Sequence, residues 1–509
     1  MLPAFVPHSL YRKTTQDRIT VLADQNPALR ADIEAHGPVI GFFYALDLDA
    51  AARVLRRQYS RGGPDAWDPA VLLRILFLMF LERDLHFGAV LERLKRSTLL
   101  RILCGLHAGQ VPGRSTLYDF LHRLPGFETE IRRERKRRIR RQGRKPKTKH
   151  RKGEKPPPRH PGIVKVLARH QAAGTLPEPS AYATFLNFLL DEGFVKVSRT
   201  QNLVSDNAPV AGDSTPFYLH ASPYGKRTAE CDCPPKTGLD CPHLRSFSAP
   251  RAAWARDSSE GCWYYGYRFY EMTQAEGPEL PLYIELAHRP SRHDSVLGYL
   301  ALAAYARMGH KAQKVLLDSA HDNAPTYALV REALGGIPFT DLNGKLPLDE
   351  SGLPKIVAEV GRNHTQIDAF GRPQCDVGAM AYRGRSAGYH RYDCPALRAD
   401  ADHPCVRRRK GCFATSAHVR VSMDGRHICE VARGTVAWEK EYDRRTTVER
   451  SHQRKKNDFG LEARKNRLHP IVAALYVLAA AMQHAVEWSK AVDGTALVRS
   501  WLAPADLAA

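Results

Sequence analysis

Three carboxylates and one helix face are the parts of this sequence best suited to chemistry. Asp213 sits within the β-like run 208–217 (APVAGDSTPF), and Asp318 ends the apolar run 314–318 (KVLLD). Side chains at strand ends of a mixed sheet point into the crevice where ligands bind. Carboxylates gathered there suit Mg2+ or Mn2+, hard cations that take oxygen ligands and assist phosphoryl transfer. Each Asp by itself reads equally as a loop cap. The third acid lies in 441–459 (EYDRRTTVERSHQRKKNDF), where Tyr442, Arg445, Glu449 and Lys456 stand at offsets 0, 3, 7 and 14. At about 100° per residue they fall in one helical stripe about 60° wide. A carboxylate flanked by two cations and a phenol is what a phosphodiester with a charged transition state requires. A salt-bridged surface helix, Arg445 pairing with Glu449, is the plainer reading of the same spacing.

The ten cysteines offer a second chemistry. Cys231, Cys233, Cys241 and His243 form a C-x-C-(7)-C-x-H loop, four soft ligands suited to tetrahedral Zn2+. Cys375, Cys394, Cys405 and Cys412, with His390 and His403 nearby, make a second candidate structural zinc site. Such a site would give its loop-rich segment a core that it otherwise lacks. Free buried cysteines acting as small apolar fillers are the alternative for both clusters. Cys104, Cys262 and Cys429 read as core. Asp294 reads as a helix N-cap, and Asp322 as either an aid to Asp318 or the cap of the next helix.

These groups need elements to hold them. Residues 1–130 read as a helical module for DNA binding or dimerisation. In it 68–84 (DPAVLLRILFLMFLERD) is a helix with Asp68 as N-cap and Pro69 at its first position. A second helix is expected over 88–103, and Ser115 is expected to cap a short one carrying Leu117, Phe120, Leu121 and Leu124. A helix-turn-helix reader and a small bundle fit this pattern equally. Residues 131–160 form a basic arm. Between Arg132 and Arg159 it holds 16 Lys/Arg against Glu134 and Glu154, a net of 16 − 2 = +14. Arg137 and Arg138 are its candidate phosphate contacts.

Residues 161–344 alternate from a helical passage (180–192) to three strands near 208–217, 262–270 and 282–287. A helix (294–307), a strand (314–318), a helix (325–334) and a strand (337–340) come next. This order predicts an α/β fold, a mixed sheet with helices on its faces. Residues 345–440 read as a β/loop-rich insertion with strand-like runs at 418–422 and 427–432. Residues 441–509 are the C-terminal helices completing the core.

The net charge of +22 and a pI near 9.6 point to a polyanionic partner. Hydrophobic residues at 43% exclude a wholly disordered chain. The best apolar run, 471–486, is interrupted by Gln483 and His484 and falls short of the ~20 residues of a membrane span. With no secretory signal visible, a cytoplasmic, nucleoid-associated location and reduced cysteines are expected.

The spacing Y-(2)-R-(3)-E-(6)-K at Tyr442, Arg445, Glu449 and Lys456 resembles the signature of bacterial insertion-sequence transposases with a DDE, RNase H-like core. The order strand Asp213, strand-end Asp318, helical Glu449 is similar too, as is 318–322 (DSAHD). The gap of 449 − 318 = 131 leaves room for that group's insertion. The N-terminal runs DPAVLLRILFLMFLE and GRSTLYDFLHRL also resemble that group's helical module. The resemblance implies cut-and-paste transposition. Asp213, Asp318 and Glu449 would hold two Mg2+ or Mn2+ per active site, and Tyr442, Arg445 and Lys456 would contact DNA near the cleaved strand. Trp438 becomes a candidate for stacking a flipped base. Implied partners are double-stranded DNA, both terminal inverted repeats and target, and a second copy of the chain. An inactive DNA-binding regulator and a nuclease without strand transfer are the alternatives.

Overall fold

The computed structural model describes residues 5–60, 62, 65–107, 109–135, 162–227, 245–287, 290–343, 355–361, 364–375, 378–394, 416–463 and 467–503. Among them is a mixed α/β architecture with a helical N-terminal region.

Among the described residues up to 135 there are nine α-helices: α1 (His8–Gln25), α2 (Arg30–Ala35), α3 (Gly37–Ala45), α4 (Asp49–Arg56), α5 (Pro69–Leu81), α6 (Phe87–Arg96), α7 (Thr98–Cys104), α8 (Arg114–His122) and α9 (Phe127–Arg135). α5 starts as its sequence dictates, the Asp68 carboxylate accepting from the Ala70 N–H at 2.9 Å ahead of Pro69. All its residues from Pro69 to Phe80 are buried. The single helix expected over 88–103 is two, because Ser97 is extended and its hydroxyl caps α7 by accepting from the Leu100 N–H. α8 is capped at Gly113, so Ser115 lies inside its first turn rather than at the cap. Leu117, Phe120, Leu121 and Leu124 are buried, as their spacing predicts.

This helical region shares one apolar core with the main sheet and the C-terminal helices. Phe77 packs on Phe194 at 5.9 Å and Phe80 on Phe459 at 6.1 Å. After α10 (Ile163–Ala172) and α11 (Ala181–Leu190), a π-helical turn at Asp191–Val195 leads into α12 (Lys196–Thr200).

The main sheet contains β1 (Val210–Tyr218), β2 (Ala253–Arg256), β3 (Trp263–Gln274), β4 (Pro281–Ala287), β5 (Lys314–Leu317) and β6 (Ile337–Thr340). Its order is β2-β3-β1-β5-β6, with β4 pairing with β3 beyond β2. β3 runs antiparallel to β1, β2 and β4, whereas β1, β5 and β6 are mutually parallel. β2 escapes the sequence pattern because four residues leave too short an alternation to read. α13 (Asp294–Arg307) connects β4 to β5, and α14 (Ala324–Glu332) connects β5 to β6.

The insertion holds β7 (Ile356–Val360), β8 (Thr365–Asp368), β9 (Pro373–Cys375) and β10 (Gly378–Ala379) in one sheet. β11 (Ala381–Ser386), β12 (Tyr389–Asp393) and β13 (Ser416–Val419) form another. Of the strands expected at 418–422 and 427–432, only the first forms, shifted to β13. The insertion has its own apolar core of Val360, Ile367, Met380, Tyr392, Val419 and Ile428, contrary to the expectation that it lacks one. Arg426 clamps it to the main body through both oxygens of Asp322, at 2.9 and 2.7 Å.

The C-terminal elements are α15 (Val436–Tyr442), α16 (Thr446–Gln453), α17 (His469–Ser489) and α18 (Gly494–Leu502). α17 is longer than its apolar run suggests. By length and composition it passes for a membrane span, yet 83% of its most apolar stretch is buried inside the protein. Polar side chains on its buried face find partners there. His484 Nε2–H donates to the Pro281 carbonyl and Nδ1 accepts from Ser198, each at 2.8 Å, while the Trp488 indole donates to Ser198 Oγ.

Burial pushes the His484 pKa down from 6.5 to about 4. The unfolded chain therefore binds a proton in a window where the folded one does not. Its contribution is complete above pH 6.5 and is lost as the pH falls toward 4, up to about 3 kcal/mol. Urea midpoints at pH 7 and 4.5 check this: the drop should be smaller in His484→Gln, which keeps a donor and an acceptor without titrating.

Candidate active site

Strand β1 and the end of β5 lie side by side, so the two aspartates of the sequence argument become neighbours. Gly212 of β1 registers with Leu317 of β5, one residue before Asp213 and Asp318 respectively. Burial first, then the charges of Asp318 and Asp294, push Asp213 up to about 7. Asp318 is also partly buried, but the hydrogen bond and charge of His321, with Arg445, outweigh burial and hold it below the usual carboxylate range.

Glu449 arrives on α16. An open cleft of about 850 Å³ is lined by Asp213, Tyr218, Glu449, His452 and Lys456 on one side and by the β2–β3 loop on the other. Arg445 Nη1 donates to Glu449 Oε1 at 2.7 Å, and its charge also acts on Asp213 and Asp318. The guanidinium is thus bonded to Glu449 and within electrostatic reach of both aspartates. Lys456 Nζ lies 3.1 Å from Glu462 and 6.0 Å from the Tyr218 ring centroid.

The continuous helix expected over 442–456 is instead four pieces. Tyr442 ends α15, Arg445 closes a 3-10 turn, Glu449 is in α16, and Lys456 sits in a π-helical turn, Arg454–Asp458. π-Turns inside helices are frequent at functional sites. Here the turn still delivers Glu449 and Lys456 to one cleft.

Tyr442 and Trp438 are stacked, their rings 4.6 Å apart and 16° from parallel. Trp438 is buried and also faces Phe339, so its ring is already covered where a flipped base would stack. Arg137, Arg138, Cys231, Cys233, Cys241, His243, His403, Cys405 and Cys412 lie outside the described residues. Of the second cysteine cluster, Cys375 Sγ donates to the Gly378 carbonyl and Cys394 is buried. His390 is committed to the Cys429 carbonyl at 2.7 Å. Cys262, expected in the core, is exposed on the wall of the cleft.

Three residues play parts that the sequence hid. Asp294 does not cap α13; His293 does, accepting from the Ser295 N–H. Asp294 instead accepts from Ser214 Oγ at 2.5 Å and Arg268 Nη1 at 2.9 Å, beside Asp213. Asp322 serves neither Asp318 nor a helix cap, since Asn323 caps α14 and Asp322 holds Arg426. His321, fully buried, bonds Asp318 Oδ1 through Nδ1 at 2.5 Å and Tyr270 OH through Nε2 at 3.0 Å. Burial opposes its charge, but Asp318, Asp213 and Asp294 raise its pKa. Its only sequence signal was its place three residues after Asp318.

His321 needs Gly298 on α13, where a Cβ would lie 2.5 Å from Nε2 and 2.8 Å from Tyr270 OH. Loss of a residue that orients a metal-binding carboxylate costs about 10–100-fold in activity or metal affinity. In the DNA-cutting reading proposed below, His321→Ala lowers cutting by that factor and moves its Mg2+ dependence to higher concentration, with DNA binding unchanged, and a Mg2+ titration with a gel-shift control checks it.

The donor chemistry suits a hard divalent ion: oxygen ligands, an open cleft, and an aspartate whose proton affinity is raised by burial and then by its acidic neighbours. Among the described residues no three His, Cys, Asp or Glu groups lie close enough to share one ion. Asp213 and Asp318 follow paired residues of neighbouring strands and feel each other's charge, whereas Glu449 is paired with Arg445.

Residues 28–123, spanning α2 to α8, match the family model described as a transposase domain (DUF772). That match supports a transposase family for this chain. The matched stretch is the helical region whose α5 packs Phe77 on Phe194 and Phe80 on Phe459. No curated protein matches the chain.

Proposed function

We propose that this transposase-domain protein cuts DNA at the ends of a mobile element and joins the freed ends to a target, through an RNase H-like core with Asp213, Asp318 and Glu449 as its acids. The observation that carries the reading is the meeting of Asp213, Glu449 and Lys456 at one cleft, with Arg445 paired to Glu449 and Asp318 on the strand next to Asp213. A six-stranded sheet in which β1, β3 and β4 run antiparallel, β2 adds an antiparallel edge, and β5 and β6 run parallel to β1 supports it.

The three acids would hold Mg2+ or Mn2+. Bound there, the ions would activate the attacking water or 3′-OH and neutralise charge on the leaving oxygen. The chain's own residues do the rest. His321 fixes the orientation of Asp318 through Nδ1. Arg445 balances the acids while no phosphate is present, and its fork is suited to a phosphodiester when DNA enters. Lys456 adds a point charge at the cleft. Tyr442, held by Trp438, offers a hydroxyl beside Asp341, which also bonds it.

The test is a supercoiled plasmid carrying the DNA that flanks the protein's own coding sequence, incubated with protein and Mg2+, with Glu449→Ala alongside. Paired cuts at both element ends, followed by joined products and absent in the variant, support the reading. Salt-sensitive binding without cutting in Mg2+ or Mn2+ makes the chain a DNA-binding regulator. Cutting without joined products makes it a nuclease.

A further inference from the structure

β2 and the start of β3 pair so that Trp254 faces Tyr265 and Arg256 faces Trp263. Side chains alternate across a strand, and directly opposite residues share a face. Burial tracks that alternation. Ala255 and Tyr264 are buried on the inner side, while Trp254 is 46% exposed and Trp263 is 68% exposed on the outer one. Arg256 is exposed between the indoles, Tyr265 is half-buried beside them, and the Trp254 and Tyr265 rings are 5.7 Å apart. Among the described residues Arg256 makes no ion pair. Two indoles, a phenol and a free guanidinium thus share one outward face at the edge of the main sheet.

We propose that this face is a stacking platform for unpaired bases of single-stranded DNA leaving the cleft. Its place argues for that occupant. The loop joining the two strands supplies Asp257, Ser259, Glu260 and Cys262 to the wall of the cleft that holds Asp213 and Glu449. Arg256 and Trp263 flank that loop. Bases of an intact duplex are already stacked on each other and gain nothing from exposed rings, whereas a frayed strand offers free π-faces. Base–aromatic stacking tolerates any sequence, and Arg256 supplies the cation for the backbone or for stacking. The chain's net charge of +22 attracts a polyanion to the molecule as a whole, and Arg256 is the cation it meets on this face. The role as an adjunct to cutting rests on the function proposed above; the affinity for unpaired bases does not.

The experiment measures fluorescence anisotropy of a labelled 20-mer single strand and of the matching duplex, with the full chain at fixed salt. Trp254→Ala and Trp263→Ala should each weaken single-strand binding by about 5-fold or more, and the double variant by about 30-fold. Duplex binding should stay within about 2-fold, and Trp263→Phe should keep most of the affinity. Both positions are exposed, and unchanged thermal melts verify folding.

Unchanged single-strand affinity in the double variant overturns the proposal, and so do equal losses on duplex and single strand. A change from dimer to monomer in sedimentation with strand affinity intact would assign the face to a contact between copies instead. If the wild type cuts element ends but the variants bind single strands normally, the platform alone fails. If the wild type never cuts yet the variants lose single-strand affinity, the transposition reading fails and the platform stands.

Discussion

Asp318→Ala and Asp213→Ala should each abolish cutting at element ends, lowering the rate by about 10³-fold or more, while DNA binding holds or tightens slightly. The magnitude comes from the several kcal/mol of transition-state stabilisation a correctly held metal ion supplies, with about 1.4 kcal/mol per tenfold in rate. The sign for binding comes from charge: with DNA in the cleft as proposed, removing a carboxylate beside it reduces repulsion of the phosphates. Asp322→Asn is the matched control. It lies four residues from Asp318 in the same DSAHD run, but its carboxylate holds Arg426 and the Asn343 N–H rather than facing the cleft. That change should loosen the docking of the insertion and lower stability, leaving far more cutting than Asp318→Ala. Single-turnover cutting on a plasmid, with gel shifts in parallel, separates the cases. Equal loss in Asp318→Ala and Asp322→Asn would mean that the assigned acids are wrong.

The parts legible in the sequence are those governed by local chemistry. The capped start of α5, the α13 and β6 boundaries, and Asp318 after a short apolar strand all depend on residues near each other in the chain. The stripe Tyr442–Lys456 presumes an unbroken helix. Glu449 and Lys456 still reach one cleft although the backbone passes through 3-10 and π turns, because buried residues between them anchor the segment to the sheet, while Tyr442 turns to Trp438 and Asp341. What escaped depends on distant partners. His321 acquires its role from Tyr270 and from the missing side chain of Gly298, neither near it in sequence. Asp294 misses the cap by one residue because His293 accepts the capping hydrogen bond. The core of the insertion is invisible in the sequence since its apolar residues are scattered over strands two to six residues long and the segments between them. Asp213 is legible as an acid, but the carboxylate directly across from it is not.

That carboxylate is Glu271, opposite Asp213 in the β1–β3 ladder, and it underlies the second large effect. Glu271 Oε1 accepts from Lys455 Nζ at 2.8 Å and from Ser451 Oγ at 2.6 Å, with Thr273 at 2.9 Å, and both members of the ion pair are fully buried. Burial alone would raise its pKa; Lys455, His452 and Ser451 outweigh it and hold the carboxylate below its usual range. Burial in turn lowers the Lys455 pKa against the pull of Glu271, so each charge depends on its partner. Lys455 also donates to the Ser451 carbonyl at 3.1 Å, and it lies in the π turn one residue before Lys456. One buried contact thus fixes the turn that sends Lys456 to the cleft and, through Ser451, the helix that carries Glu449. Lys455→Met leaves a carboxylate buried without its cation and should cost about 3–5 kcal/mol. The double change Lys455→Met with Glu271→Gln removes the stranded charge and should recover most of that loss, because a neutral pair of similar volume has far less desolvation to offset. Urea denaturation of the two singles and the double gives the coupling energy directly. Recovery of stability without recovery of cutting is the expected result, since a neutral pair packs but no longer holds the turn in register. Additive losses in the double variant would refute the coupling, and full recovery of cutting would show that the turn holds its register without the ion pair.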